Sequence, residues 1–235
     1  MARAFPEIVP LDVGTFTFAD DEPYAGQQGL VVAYAVRRRE GVLLFDTGFG
    51  FGDPELDELY HPVARPMADV LGEAGIRPAA IDLLANCHLH PDHAGQNARF
   101  AGIPIHVQAA ELAHARKGGY TILDWIDGPG VEYLEASGDH ELVPGIRILS
   151  TPGHSPGHQS IVVDQAGGPV VLTGQAIYGL DEWTGSVGRE GRTTARDQSS
   201  YDASVARIRA LEPSRVLFAH DRRPWTRDRQ GSGAC

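Results

Sequence analysis

The chain has 235 residues, of which 42% are hydrophobic and 22% are charged. This balance is typical of a soluble globular protein and excludes a disordered or fibrous chain. Its 20 Lys and Arg against 31 Asp and Glu give a net charge of −11. An acidic surface repels phosphate backbones, so we expect a small-molecule substrate rather than a nucleic acid partner.

Targeting signals are not evident in the sequence. The longest apolar run, residues 30–36, is far too short to cross a bilayer, so we expect no membrane association. The N-terminal segment MARAFPEIVP lacks the continuous apolar stretch of a signal peptide. Two cysteines, Cys87 and Cys235, make no disulfide framework, which favours a reducing cytoplasm. We expect one domain over residues 1–230 and a flexible tail at 231–235.

The predicted elements alternate between strands and helices, which indicates an α/β protein. Strands are expected at 30–36 and 42–46 (a hairpin), 81–87, 103–108, 146–150, 159–164, 169–174 and 215–220. Helices are expected at 66–76, 109–116 and 200–211. Residues 117–140 read as a loop or cap, and residues 179–198 read as a second surface loop.

Polar side chains follow several of these strands at the point where each one ends. They are Asp46, His88, the segment 151–154, Gln175 and His220. Side chains in this position converge on one edge of a sheet, so we expect them to form a site.

The segment His88-Leu89-His90-Pro91-Asp92-His93 holds three imidazoles and a carboxylate in six residues. These groups suit zinc and other first-row divalent ions. Alternation places His88 and His90 on one side of an extended backbone, while Asp92 and His93 turn to another. One loop could thus address two neighbouring metal positions.

A second segment, Thr151-Pro152-Gly153-His154-Ser155-Pro156-Gly157-His158, presents histidines from a strand end. We expect His154 to be a metal ligand. His158 is expected to orient a neighbouring group or to be structural.

These two segments resemble the hallmark motifs of the metallo-β-lactamase superfamily, in the family's order and spacing. The resemblance runs from about residue 29 to residue 221, and it implies a four-layer αββα sandwich with a one- or two-metal site at the sheet edges. It would assign His88, His90 and His154 to the first metal. Asp92, His93 and His220 would hold the second. The implied cofactor is zinc, as one or two ions, with manganese or iron as alternatives.

Asp46, in the sequence Phe-Asp-Thr-Gly, matches an acidic residue beside the family's site. The resemblance implies that Asp46 supports a ligand histidine. The alternative is a structural aspartate that caps the turn before Thr47 and Gly48.

The resemblance breaks at Gln175. The family places a bridging aspartate in a Thr-Gly-Asp segment, and here the segment is Thr173-Gly174-Gln175. The site therefore lacks one negative charge between two dications that repel each other. Gln175 could still contact a metal or the substrate through its carbonyl oxygen. The second metal could bind weakly, the site could be mononuclear, both metals could persist, or catalysis could be lost.

A hydroxide generated at a bound metal attacks carbonyl or phosphoryl centres, so hydrolysis is the expected reaction. Asp92 could also carry the proton. Tyr178, three residues after Gln175, resembles a tyrosine that N-acyl homoserine lactonases carry at this offset. The resemblance implies that Tyr178 hydrogen-bonds the lactone carbonyl oxygen. The alternative for Tyr178 is an ordinary strand-end aromatic.

Three further aromatic residues, Phe49, Phe51 and Trp183, are expected to line a substrate pocket, although core packing explains each of them equally well. We therefore expect a metal-dependent hydrolase that opens a lactone, as quorum-quenching lactonases do. A homodimer is left open by the same resemblance. The alternatives are a hydrolase of another ester, thioester or amide with a mononuclear or asymmetric site, and a non-catalytic binding protein on the same fold.

Overall fold

The computed structural model of the chain describes residues 6–20, 22, 24–186 and 195–227. The strands of these residues are β1 (Glu7–Thr17), β2 (Gln28–Arg37), β3 (Val42–Phe45), β4 (Val63–Ala64), β5 (Ile81–Ala85), β6 (Ile105–Gln108), β7 (Tyr133–Ala136), β8 (His140–Val143), β9 (Ile146–Ser150), β10 (Gln159–Val163), β11 (Val170–Leu172), β12 (Arg215–Leu217) and β13 (Trp225–Thr226). The helices are α1 (Pro54–Tyr60), α2 (Met67–Glu73), α3 (Pro91–Ala94), α4 (Ala109–Ala115), α5 (Leu123–Ile126), α6 (Leu180–Thr184) and α7 (Gln198–Ala210).

The strands form two sheets. The first has the order β4-β1-β2-β3-β5-β6-β7, and the second has the order β13-β12-β11-β10-β9-β8. Strands β3, β5, β6 and β7 run parallel to one another, and β11 runs parallel to β12. Parallel neighbours end at the same edge of their sheet, so the loops that follow them meet there.

The two sheets pack face to face, and helices cover both outer faces. Between the sheets, Leu43 and Phe45 of β3 pack with Ile148 of β9 and Ile161 of β10. The outer face of the first sheet packs against α2, and that of the second sheet packs against α7 through Ile208. Successive side chains of a strand point to opposite faces of its sheet, so alternate residues pack in the core between the sheets and in the core under the helices. The predicted αββα sandwich is confirmed.

The expected hairpin is present as β2 and β3, and the other expected strands and helices appear with shifted ends. Strand β1, which the sequence did not suggest, pairs with β2 along its whole length through a bulge between Asp12 and Gly14. The loop expected at 117–140 contains α5 and β7, and that expected at 179–198 contains α6. Residues 187–194, the tail at 231–235 and Cys235 lie outside the described residues. No described helix is long and apolar enough to span a bilayer.

Side chains buried in the core between the sheets should contribute strongly to the stability of the fold. Leu43 is fully buried there, so Leu43→Ala should lower the free energy of unfolding by about 2–5 kcal/mol. Val63, which is 65% exposed, provides the control: Val63→Ala should change it by less than about 0.5 kcal/mol. Chemical denaturation measures both. Equal losses in the two variants would contradict this description of the core.

Candidate metal centre

Six potential ligands meet where strands of both sheets end. His88, His90, Asp92 and His93 follow β5 and enter the short helix α3. His154 lies in the turn after β9, and His220 lies three residues beyond β12. His88, His93, His154 and His220 are buried, so polar groups that would normally face water are enclosed between the sheets.

The first cluster consists of His88, His90 and His154. Nε2 of His154 lies 3.0 Å from Nε2 of His88 and 3.2 Å from Nδ1 of His90. Zn–N bonds of about 2.0–2.1 Å in tetrahedral geometry separate nitrogen ligands by roughly 3.3 Å, close to these spacings. Three imidazole nitrogens that face one point at these distances fit a shared cation.

The second cluster consists of Asp92, His93 and His220. Oδ2 of Asp92 lies 3.1 Å from Nε2 of His93 and 3.8 Å from Nε2 of His220. Both of these nitrogens are buried and make no hydrogen bond within the described part of the chain. Buried polar atoms are normally satisfied, so two orphaned nitrogens beside a carboxylate also fit a cation.

The pKa values of His88, His90 and His220 agree with ligand roles. Burial, followed by neighbouring histidines, holds the pKa of His88 and of His90 well below the usual value, so both rings stay neutral. Burial also lowers the pKa of His220 to about 4. Burial acts to lower the pKa of His93 as well, but the negative charge of Asp92 and of other neighbours outweighs it and raises that pKa well above the usual value. The second cluster thus attracts positive charge.

Hydrogen bonds outside the clusters fix the ring orientations of two ligands. His220 donates from Nδ1 to the carbonyl oxygen of Leu30 at 2.7 Å, which leaves Nε2 with its lone pair toward the cluster. His93 Nδ1 lies 3.0 Å from Oδ2 of Asp46, and Oδ1 of Asp46 accepts from the backbone N–H of Cys87 at 2.7 Å. Asp46 therefore lies where the expected supporting role requires, in a left-handed conformation with φ of 69°.

Both ring nitrogens of His158 are already engaged. Its Nδ1 lies 2.9 Å from Oγ1 of Thr151, and its Nε2 accepts from the backbone N–H of Gln175 at 3.0 Å. The Thr151 hydroxyl contacts Ser160, whose hydroxyl in turn donates to the carbonyl of Thr173. This chain of bonds gives His158 a proton on Nδ1 and makes it a support for Gln175.

Gln175 is buried at the same edge and follows Gly174, which has a φ of +57°. A Cβ at Gly174 would lie 2.5 Å from Cβ of Cys87, so no larger residue fits there. The Sγ of Cys87 lies 3.1 Å from Nδ1 of His88 and 3.3 Å from Nδ1 of His93. Burial raises the pKa of this thiol, so Cys87 stays protonated and fills space between the two clusters.

A cavity of about 300 Å³ opens beside His220. Tyr178 forms one wall, with its ring stacked on His220 at a centroid distance of 4.6 Å. The Tyr178 hydroxyl is buried and makes no hydrogen bond with the described residues. Burial, followed by Asp92, raises the pKa of this phenol, so the hydroxyl keeps its proton and can donate it in a hydrogen bond.

The expected pocket aromatics are not in this cavity. Phe49 packs in the core beneath the first sheet, and Trp183 packs behind the second sheet against Trp225. Phe51 is 45% exposed and does not line the cavity. The aromatic walls come instead from Phe18 and Tyr24, which the sequence did not single out because they follow β1 and carry no motif.

One buried carboxylate was also missed. Glu111 of α4 accepts hydrogen bonds from both histidine-bearing loops, through the backbone N–H groups of Leu89 and Gly157. A glutamate in an ordinary helical pattern gives no sequence signal of such contacts.

A profile of the metallo-beta-lactamase superfamily matches residues 26–220. The chain belongs to this superfamily. A Bacillus sp. protein named N-acyl homoserine lactonase is 32% identical over 207 residues, which cover 81% of each chain. The N-acyl homoserine lactonase AttM of Azorhizobium caulinodans is 32% identical over 197 residues, 75% of this chain and 73% of that protein.

Solved structures of the superfamily show the same similarity. A mutant of AiiA from B. thuringiensis, crystallised with N-decanoyl-L-homoserine at the active site, has a TM-score of 0.77 and 26% identity. The superposition covers 93% of this chain and 94% of the AiiA chain. An N-acyl homoserine lactone hydrolase with N-hexanoyl-L-homoserine bound at the catalytic metal center has a TM-score of 0.75 and 26% identity, over 94% and 95% of the two chains.

The metal-free protein should lose stability as the pH falls from about 7 to about 4. His88, His90, His158 and His220 stay neutral in the folded state, whereas the unfolded chain protonates them near pH 6.5. The unfolded state then binds more protons, which favours unfolding. His93 has the opposite shift, so its contribution is complete below pH ~6.5 and is lost only at higher pH.

Guanidinium unfolding in the presence of a chelator, at pH 7 and at pH 5, measures this dependence. A free energy of unfolding that is equal or higher at pH 5 would show that these histidines do not stay neutral in the folded chain.

Proposed function

We propose that this chain is a metal-dependent lactonase, which opens the ring of an acyl homoserine lactone or a related ester. The observation that carries the proposal is the Tyr178 hydroxyl, a protonated donor that makes no hydrogen bond with the described residues and whose ring stacks on His220 of the second cluster. The names of the relatives and of the solved structures support the substrate class.

The six ligand residues would hold one or two divalent ions. When bound, such an ion polarises the ester carbonyl and lowers the pKa of a water molecule, which makes that water a nucleophile at neutral pH. The role of the chain is then to orient the substrate, to stabilise charge on the carbonyl oxygen and to move a proton.

Tyr178 and Asp92 divide these tasks. Stacking on His220 fixes the Tyr178 ring, so its hydroxyl can donate to the carbonyl oxygen as negative charge develops there. Burial acts to raise the pKa of Asp92, but His93 and His220 lower it below its usual value. Asp92 is therefore ionised and can accept a proton from the attacking water and pass it to the leaving alkoxide.

The cavity suits a small substrate with an apolar part. Phe18, Tyr24 and Leu30 supply apolar surface, and Arg223 and Asp181 supply polar groups at the same cavity. An acyl chain could lie against the aromatic rings while the ester group approaches His220.

Gln175 favours a second candidate, a hydrolase of another ester, thioester or amide with a mononuclear or asymmetric site. A neutral amide compensates the repulsion between two dications less well than a carboxylate does. A panel of homoserine lactones, open-chain esters, thioesters and amides separates the candidates. Lactone turnover well above that of the open-chain substrates supports the first, and the reverse order supports the second.

Three finer points belong to the same proposal. Zinc is the proposed metal, because imidazole and carboxylate ligands suit it. A cytoplasmic location is proposed because Cys87 is a buried free thiol. A homodimer stays a prediction, which light scattering of the purified chain tests.

Tyr178→Phe should lower kcat on acyl homoserine lactones by about 100- to 1000-fold, because it removes one donor to the developing oxyanion. The ring and its stacking on His220 are retained, so folding and metal content should not change. Steady-state kinetics and elemental analysis of the same sample measure this.

Tyr133→Phe is the matched control. The Tyr133 hydroxyl donates to the Ile126 carbonyl away from the cavity, so its loss should cost stability and leave kcat unchanged. A wild-type kcat in Tyr178→Phe would remove the main structural reason for a lactone substrate.

Gln175→Asp should raise the number of ions retained per chain after dialysis, because the new carboxylate adds a negative charge at the edge where the clusters lie. If lactone turnover rises as well, the natural site is that of a diverged lactonase. If an existing activity is abolished while the metal content rises, Gln175 belongs to a different chemistry, and the second candidate replaces the first.

A further inference from the structure

Glu111 is a fully buried carboxylate at the start of α4. Its Oε1 accepts from the backbone N–H of Leu89 at 2.9 Å and from the Tyr120 hydroxyl at 2.5 Å. Its Oε2 accepts from the Ser155 hydroxyl at 2.6 Å and from the backbone N–H of Gly157 at 3.1 Å. No cation pairs with Glu111 in the part of the chain that the structure describes, so these four donors are what stabilise it.

The four donors all belong to the surroundings of the first cluster. Leu89 lies between His88 and His90 in the chain, and Ser155 directly follows His154. The Tyr120 ring packs on the His90 ring at a centroid distance of 4.4 Å. Each of the three histidines is thus next in sequence to a residue that is hydrogen-bonded to Glu111, and His90 also packs against Tyr120, a third such residue.

The second cluster is anchored elsewhere. His93 is held by Asp46, and His220 is held by the carbonyl of Leu30. Glu111 makes no hydrogen bond or ion pair with Asp92, His93 or His220, all of which the structure describes. Its influence should therefore be selective for one of the two clusters.

Helix α4 and the loop that carries His154 also approach each other closely. A Cβ at Gly157 would lie 2.2 Å from the backbone nitrogen of Glu111, so only glycine allows this approach. The carboxylate therefore joins two loops that are distant in the sequence and have no covalent link near the site.

We propose that Glu111 is a positioning residue that sets the spacing of the first three-histidine cluster and so its affinity for a divalent cation. The inference rests on the proposed function, because it requires that His88, His90 and His154 bind a metal. Glu111 contacts neither the cation nor the substrate. It acts through the two loops and through Tyr120.

Glu111→Gln tests the proposal with little change in shape. The amide nitrogen must replace one carboxylate oxygen, and it then faces the N–H of either Leu89 or Gly157. A hydroxyl can rotate to accept a hydrogen bond from the amide, but a backbone N–H cannot. One of the two histidine loops therefore loses its anchor in either orientation of the amide.

Two backgrounds separate the clusters. In His220→Ala the second cluster is incomplete, so zinc binding reports on the first cluster. In His154→Ala the first cluster is incomplete, so zinc binding reports on the second cluster. In the His220→Ala background, Glu111→Gln should raise the zinc dissociation constant about 10- to 100-fold, the usual effect of losing a group that orients metal ligands. In the His154→Ala background the constant should be unchanged. Competition with a chromophoric chelator measures both constants.

Glu182→Gln is the matched control. Glu182 is a mostly buried carboxylate that accepts from the Tyr178 backbone and from the Tyr201 hydroxyl, and it makes no hydrogen bond with either loop of the first cluster among the described residues. In the His220→Ala background it should lower stability without changing the zinc constant. If Glu111→Gln behaves in the same way, its role is only structural and the proposal is overturned.

Two further outcomes are informative. If Glu111→Gln does not fold, Ser155→Ala removes one donor and adds no new group, and it should weaken zinc binding in the same background by a smaller factor. An unchanged constant there overturns the proposal. If His220→Ala binds no zinc while Glu111 is intact, the proposed metal function fails, and the inference fails with it.

Discussion

Where the strands of both sheets end, Nε2 of His154 lies 3.0 Å from a ring nitrogen of His88 and 3.2 Å from one of His90. This arrangement constrains much of the surrounding structure. Burial keeps the rings of His88 and His90 neutral, because the interior disfavours their charged forms. Each neutral ring keeps a lone pair on one nitrogen, and ring nitrogens this close together can share a cation. The sheets fix the strand ends from which these rings project, so the rings cannot simply move apart.

Several hydrogen bonds from neighbouring strands and loops hold the histidines of the two clusters in position. Asp46 holds His93, the Leu30 carbonyl holds His220, and Glu111 links the loops of the first cluster. Both ring nitrogens of His158 are engaged, one with Thr151 and one with Gln175. His158, four residues after His154, therefore supports Gln175 and has no free ring nitrogen for a metal. The ligand positions are thus set by partners on several strands and loops, as metal sites generally require.

The sequence predicted the parts of the site that depend on local order. The candidate ligand histidines lie in short motifs at strand ends, so their convergence followed from the strand pattern, and the structure brings the six expected ligand residues together in two clusters. Phe49 and Trp183 were expected in the pocket and lie outside the cavity beside His220, because closeness to a motif in sequence does not decide which face of a sheet a ring covers. Strand β1 was missed since Pro10 and Gly14 interrupt its alternation, and Glu111 was missed since its partners lie far away in the chain.

The number of metal ions per chain shows whether the two histidine clusters form a metal centre. The measurement is elemental mass spectrometry of purified protein, first after dialysis against metal-free buffer and then after addition of zinc. With two ligand clusters and a neutral Gln175 at the same edge, we expect about one ion retained and a second taken up when zinc is added. A chain that retains no ion and takes up none with zinc, manganese or iron would contradict it.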